Sequence, residues 1–199
     1  MKRAGWWPVW LIIFFWAGTT YAQVVVHAGG GASLARSPEV MAGASPGLDL
    51  GAGLGAFIGP FVTVRTGVDY ARFHADAAAV REAVGLTSGA VQGGGGYALA
   101  LLVDLKLNAP LWGALSPYGV VGLGGLHFVQ RDATVVPAAG EQVVLSGQSE
   151  TGPAVSLAAG LNMVVSSRIA LFVEARHIAG RQAADALVYR PLRVGVAVR

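Results

Sequence analysis

Cysteine is absent from the 199 residues, which excludes a disulfide framework and any thiolate metal site. Charge is scarce. Asp, Glu, Lys and Arg make up 13% of the chain against 54% hydrophobic residues, a lean share for a soluble domain. The 29 glycines weigh against a mostly helical protein, because glycine is a poor helix former. After residue 22 no apolar run reaches the roughly 20 residues of a membrane helix. Catalytic signals are thin too. His27, His74, His127 and His177 are scattered, without metal-ligand spacing. There is no Gly-x-Ser-x-Gly elbow, and Gly93–Gly96 lacks the Lys and Ser/Thr of a phosphate loop. The expectation is a non-enzymatic protein without cofactor or metal.

The N-terminus is organised differently from the rest. Lys2 and Arg3 precede an apolar run from Trp6 to Trp16, and small residues follow up to Ala22. This charged, apolar, small-residue order is that of a secretory signal peptide. Thr20 and Ala22 suit the two small-residue sites before a cut, so residues 1–22 are read as a signal peptide cleaved between Ala22 and Gln23. An uncleaved anchor is the alternative, and the run is short for one. Two of the 14 basic residues lie in this segment; without them the chain is close to neutral, which gives no case for nucleic-acid binding. Residues 23–199 are of a length for one domain.

That domain reads as strands. In Tyr97–Asn108 (YALALLVDLKLN) alternate residues split into two lists. Tyr97, Leu99, Leu101, Val103, Leu105 and Leu107 are all apolar. Ala98, Ala100, Leu102, Asp104, Lys106 and Asn108 begin small and end charged. Side chains of a strand alternate between faces, so one face is greasy and the other turns polar. A soluble sandwich would pack the greasy face on a second sheet; a membrane barrel would turn it to lipid. Its length fits the second solution, since a tilted membrane strand takes about 9–11 residues.

Seven further segments behave alike: Val24–Leu34, Leu48–Ile58, Phe61–His74, Pro117–Gln130, Ala154–Val165, Ile169–Ala179 and Leu192–Val198. Glycine obscures the faces of the first and of Pro117–Gln130. The intervening connections are alternately long and short, with tight turns at Gly59-Pro60 and Ser166-Ser167-Arg168. That is the pattern of small outer-membrane barrels, which have long outside loops and short periplasmic turns. The expected fold is therefore an all-β, eight-stranded, antiparallel up-and-down transmembrane barrel, with both ends periplasmic. Ala77–Leu86 suits a short helical turn within one long loop.

Charge sorts by face as well. The inward parity collects Asp49, Arg65, Asp69, Asp104, Lys106, Glu174, Arg176, Arg193 and Arg199. Unpaired charges in so narrow a lumen are costly, and an eight-stranded barrel is only wide enough for its own side chains. The nine are read as a structural network filling the lumen; a charged permeation path is the rival reading. Tyr70, Tyr97, Phe128 and Tyr189 are expected at the outer rim, and Trp112 and Tyr118 at the periplasmic one, as aromatic girdles.

Three short motifs carry a family likeness. Leu115–Gly124 (LSPYGVVGLG) resembles the PYxGxGxG strand of the small outer-membrane β-barrel domain proteins. Leu171–Arg176 (LFVEAR) is similar to their Glu-x-Arg strand, and Pro191–Val196 (PLRVGV) to their last one. The resemblance spans residues 23–199 and implies the fold of the OmpA-type transmembrane domain and the OmpX group. It implies outer-membrane lipid and the barrel-assembly machinery as partners, but no single activity. Such barrels usually end in an aromatic that the machinery recognises. This sequence ends in Arg199, inward by parity, so the lipid-facing place of that aromatic belongs to a position 200. His177 follows Glu174 and Arg176, as does the catalytic His of the barrel enzyme that deacylates lipid A. That resemblance requires a Ser two residues on, where Ala179 stands, leaving no hydroxyl to activate. Four roles follow in order: a structural or surface-interaction barrel, a narrow pore for small or apolar solutes, a lipid-modifying enzyme, and a secreted ligand-binding barrel.

Overall fold

The alternation along Tyr97–Asn108 is one wall of a closed sheet. The computed structural model describes residues 23–37, 46–137, 141–181 and 186–199; the expected signal peptide, 1–22, lies outside the described residues. The strands in chain order are β1 (Val24–Ser37), β2 (Gly47–Phe57), β3 (Val62–Phe73), β4 (Ala90–Gly93), β5 (Gly96–Asn108), β6 (Leu115–Gln130), β7 (Ala133–Val136), β8 (Val143–Leu145), β9 (Gln148–Val164), β10 (Ile169–Arg181) and β11 (Ala186–Val198). Eight of them close into a barrel in the order β1-β11-β10-β9-β6-β5-β3-β2. Every barrel pairing is antiparallel, and β1 meets β11 to complete the circle. Closure leaves no edge strand.

Parity sorts the side chains as expected. On β5, Ala98, Ala100, Leu102 and Asp104 are buried, while Leu99, Leu101, Val103, Leu105 and Leu107 are exposed. The outward lists of the other strands continue this belt, with Leu123 67% and Leu157 60% exposed. The glycine-rich β1 resolves too: Val25, Ser33 and Ala35 are buried and Val24, Val26 and Leu34 exposed.

One end of the barrel carries tight turns. Ile58 N–H donates to the Val62 carbonyl at 2.9 Å. At the next turn on that end Trp112 and Leu115 exchange backbone hydrogen bonds, with Gly113 at φ +64°, a left-handed conformation that glycine adopts without strain. The Ser166 hydroxyl accepts from the backbone N–H of Arg168 and Ile169. At the other end lie the connected strand ends of β1 and β2, β3 and β5, β6 and β9, and β10 and β11. Described residues between β3 and β5 and between β6 and β9 build a cap. Helix α1 (Ala77–Ala83) starts where the Asp76 carboxylate accepts from Ala78 N–H, and it packs Val80 onto Ala133 and Val135 of a three-stranded sheet, β4-β7-β8.

The differences from the sequence reading have local causes. β9 begins at Gln148 rather than Ala154 and runs through Pro153; β11 begins at Ala186 rather than Leu192 and runs through Pro191. Proline normally interrupts a ladder. Here the β10–β11 register has a gap between Ala175↔Leu192 and Ile178↔Tyr189, opposite Pro191, so the strand continues while the ladder does not. The last connection is therefore short, against the expected alternation. Aromatic placement also changes. Tyr70 and Tyr97 face outward, their rings 6.0 Å apart, but Phe128, Tyr189 and Tyr118 are buried inside the lumen, so they belong to no girdle.

Candidate functional site

Seven of the nine expected lumen charges meet in one continuous cluster. Arg65 Nε donates to Asp104 Oδ2 at 3.0 Å and its Nη2 to Glu174 Oε2 at 2.9 Å. Arg176 Nε donates to Glu174 Oε1 at 3.0 Å and its Nη2 to Asp104 Oδ2 at 2.8 Å. These four side chains close a ring of alternating charge, spanning β3, β5 and β10. Arg176 Nη1 reaches Asp69 Oδ2 at 3.4 Å, Asp69 Oδ1 accepts from Arg193 Nη1 at 2.7 Å, and Arg193 Nε donates to Asp49 Oδ1 at 2.6 Å. The guanidinium suits this work, since one planar fork serves two carboxylates at once. Every member is buried.

Neutral groups complete the shell. Tyr118 donates its hydroxyl hydrogen to Glu174 Oε2 at 3.1 Å, and Ser156 to Asp104 Oδ1 at 3.3 Å. Room for the long side chains comes from glycine. A Cβ on Gly51 would collide with the Arg193 guanidinium and the Asp69 carboxylate, one on Gly122 with Asp104, and one on Gly160 with the Tyr118 ring. His27 lines the same space with Phe172. The cavity left among these residues is about 10 Å³, at the lower limit of the roughly 10–15 Å³ that one water occupies.

The other two expected members stand apart. Lys106 Nζ donates to Asn162 Oδ1 at 3.1 Å and lies 3.6 Å from the centroid of the Tyr118 ring; no carboxylate pairs with it among the described residues. Arg199 lies past the end of β11, exposed, over the Phe57 ring at the tight-turn mouth. Glu174 keeps Arg176 of its own strand as a partner, and its second comes from across the lumen. Arg193 sits opposite it in the β10–β11 register, yet turns to Asp49 and Asp69, while Arg65 from across the lumen takes Glu174.

Toward the cap the lumen changes character. Phe73, Leu102, Leu126, Phe128, Ile178, Leu187 and Tyr189 pack with five alanines into an apolar plug directly above the charges. The sequence reading missed this layer, and it assigned no lumen role to His27, Tyr118, Ser156, Phe172 or Asn162. Their inward parity was readable on β9 and β10; on β1 and β6 the glycines hid it. Among the described residues no group of three or more His, Asp or Glu is placed to hold a metal ion.

Comparisons with known proteins bear on the fold. No protein-family model matches the chain, and no curated protein matches it in sequence. Among solved structures it is similar to Neisserial surface protein A, with a TM-score of 0.59 at 17% identity, covering 88% of this chain and 96% of that one. It is also similar to Ail, the attachment invasion locus protein of Yersinia pestis, with a TM-score of 0.53 at 12% identity, covering 89% and 99%. The chain has the fold of the small eight-stranded outer-membrane barrels.

Proposed function

We propose that this protein is an outer-membrane barrel with a structural or surface-interaction role, and that its lumen is sealed. The observation that carries the reading is the ion-paired layer across the barrel, which leaves a cavity of about 10 Å³. That weighs against a pore. The continuous belt of exposed Leu and Val would be an aggregation hazard in water, and it suits lipid; that weighs against a secreted barrel. Ala179, where a hydroxyl would be needed beside His177, weighs against a deacylase.

In this reading residues 1–22 direct export and are removed, and the barrel-assembly machinery inserts the remainder. The end bearing α1 and the small sheet faces outward, and the tight turns face the periplasm. A partner would meet the cap, where loops are held on a rigid frame. The test is envelope fractionation with gel migration before and after heating, combined with surface labelling. A heat-modifiable band in the outer-membrane fraction is expected. A tag near Ala139 (outside the described residues) should react on intact cells, whereas one near Ser167 should not. Recovery in the soluble fraction would overturn the membrane assignment, and the reverse labelling would overturn the orientation.

A further inference from the structure

The outward face is not uniform. One register row crosses four strands as Leu107↔Gly119↔Ala159↔Ala175, and three of its four members are glycine or alanine. Larger outward side chains flank it, Leu105, Val121 and Leu157. The small residues thus floor an open apolar groove of about 570 Å³, within the roughly 300–1,000 Å³ of small-molecule sites. The groove climbs along β10 to His177, which lines it. There Arg190 Nε donates to His177 Nδ1 at 3.3 Å.

Charge on the barrel strands supplies the second observation. Asp49, Asp69, Asp104 and Glu174 are buried in the lumen. Glu150 shares the inward parity, opposite the buried Phe128 in the β6–β9 register. These are all the acids that the described barrel strands carry. The arginines of outward parity, Arg36, Arg72, Arg181 and Arg190, are exposed and lie toward the cap end. An anion arriving at the top of the groove meets guanidinium groups and no carboxylate from the barrel wall.

We propose that the groove and the His177–Arg190 pair are one binding site for a phosphate-bearing lipid. An acyl chain lies on the Gly119–Ala159–Ala175 floor, and the phosphate sits on the Arg190 guanidinium, whose forked N–H groups match phosphate oxygens. The proposal rests on the outer-membrane reading, because only there does the groove face lipid.

The test is native mass spectrometry of the folded barrel released from detergent micelles, titrated with dimyristoyl phosphatidic acid. Saturable retention of one lipid per barrel is expected. Dimyristoyl glycerol, which has the chains alone, and inorganic phosphate, which has the charge alone, should not be retained. Arg190→Gln should weaken binding about tenfold, the scale of one lost charge-assisted hydrogen bond. Ala159→Phe fills the floor, leaves Arg190 in place, and should abolish saturable retention. Arg72→Gln, two strands from β1 on the far side of the β1–β11 seam, should leave the affinity unchanged. Each variant faces outward, and heat-modifiable migration checks that it folds. Retention that survives both R190Q and A159F, or that R72Q weakens as much as R190Q, would overturn the site, as would equal retention of dimyristoyl glycerol or of inorganic phosphate. Failure of the unmutated barrel to float with phosphatidylcholine vesicles would instead overturn the outer-membrane reading on which the site depends.

Discussion

The lumen is filled twice, by opposite chemistry carried on the same strands. Toward the cap, Leu126, Phe128, Ile178, Leu187 and Tyr189 pack as a hydrocarbon core would. One turn of register lower, Asp104, Glu174, Arg65 and Arg176 form a closed ring of ion pairs. Both layers fill the lumen, but they respond to damage differently. An apolar layer loses burial in proportion to what is removed. An ionic layer loses little when a whole pair is replaced and much when one partner is left alone.

The largest effect is therefore expected from halving a pair. Glu174→Gln removes a carboxylate from both Arg65 and Arg176, leaving two buried guanidinium groups to share Asp104 and Asp69, and should cost about 3–5 kcal/mol, read as a lower urea midpoint for unfolding from detergent or lipid. Combining it with Arg65→Gln should cost less than the sum of the two, and that coupling is what distinguishes a ring from a set of independent contacts. Strict additivity would break the comparison.

Next comes the apolar layer. Leu126→Ala empties the space above Gly180, where the leucine side chain lies closest, and should cost about 2–5 kcal/mol by lost burial and an unfilled cavity. No second substitution in the ionic ring should rescue it. Recovery on adding E174Q would mean that the two layers are one coupled unit.

The smallest effect sharpens the boundary of the ring. Lys106 holds an amide oxygen and an aromatic face rather than a carboxylate, so Lys106→Gln should cost only about 1 kcal/mol in the same titration. A loss as large as that of E174Q would place Lys106 inside the ring.

Much of this was legible in the residues alone, and the reasons are physical. A strand has a period of two, so an alternating stretch such as Tyr97–Leu107 declares which side chains share a face. Asp49, Arg65, Asp69, Asp104, Glu174, Arg176 and Arg193 were gathered on the inside by that argument alone. Four things escaped it. Parity does not say at which height two strands meet: Arg193, opposite Glu174 on the neighbouring strand, turns to Asp49 and Asp69, while Glu174 takes Arg176 on its own strand and Arg65 across the barrel. Alternation is clear only from Ala154 and Leu192 onward, whereas β9 and β11 begin earlier and run through Pro153 and Pro191. Aromatic residues were assigned to the membrane rims by position along the strand, whereas Phe128, Tyr189 and Tyr118 have inward parity and fill the lumen. The cap sheet went unseen because β4, β7 and β8 are too short, at 4, 4 and 3 residues, to show alternation.

The central claim is that the charged layer closes the barrel rather than lining a path. Single-channel recording of the purified, unmutated barrel in a planar bilayer tests it directly. Seven ion pairs around a space for one water at most predict no steady conductance at any salt concentration. Sustained openings whose amplitude rises with salt would contradict the seal and establish a pore.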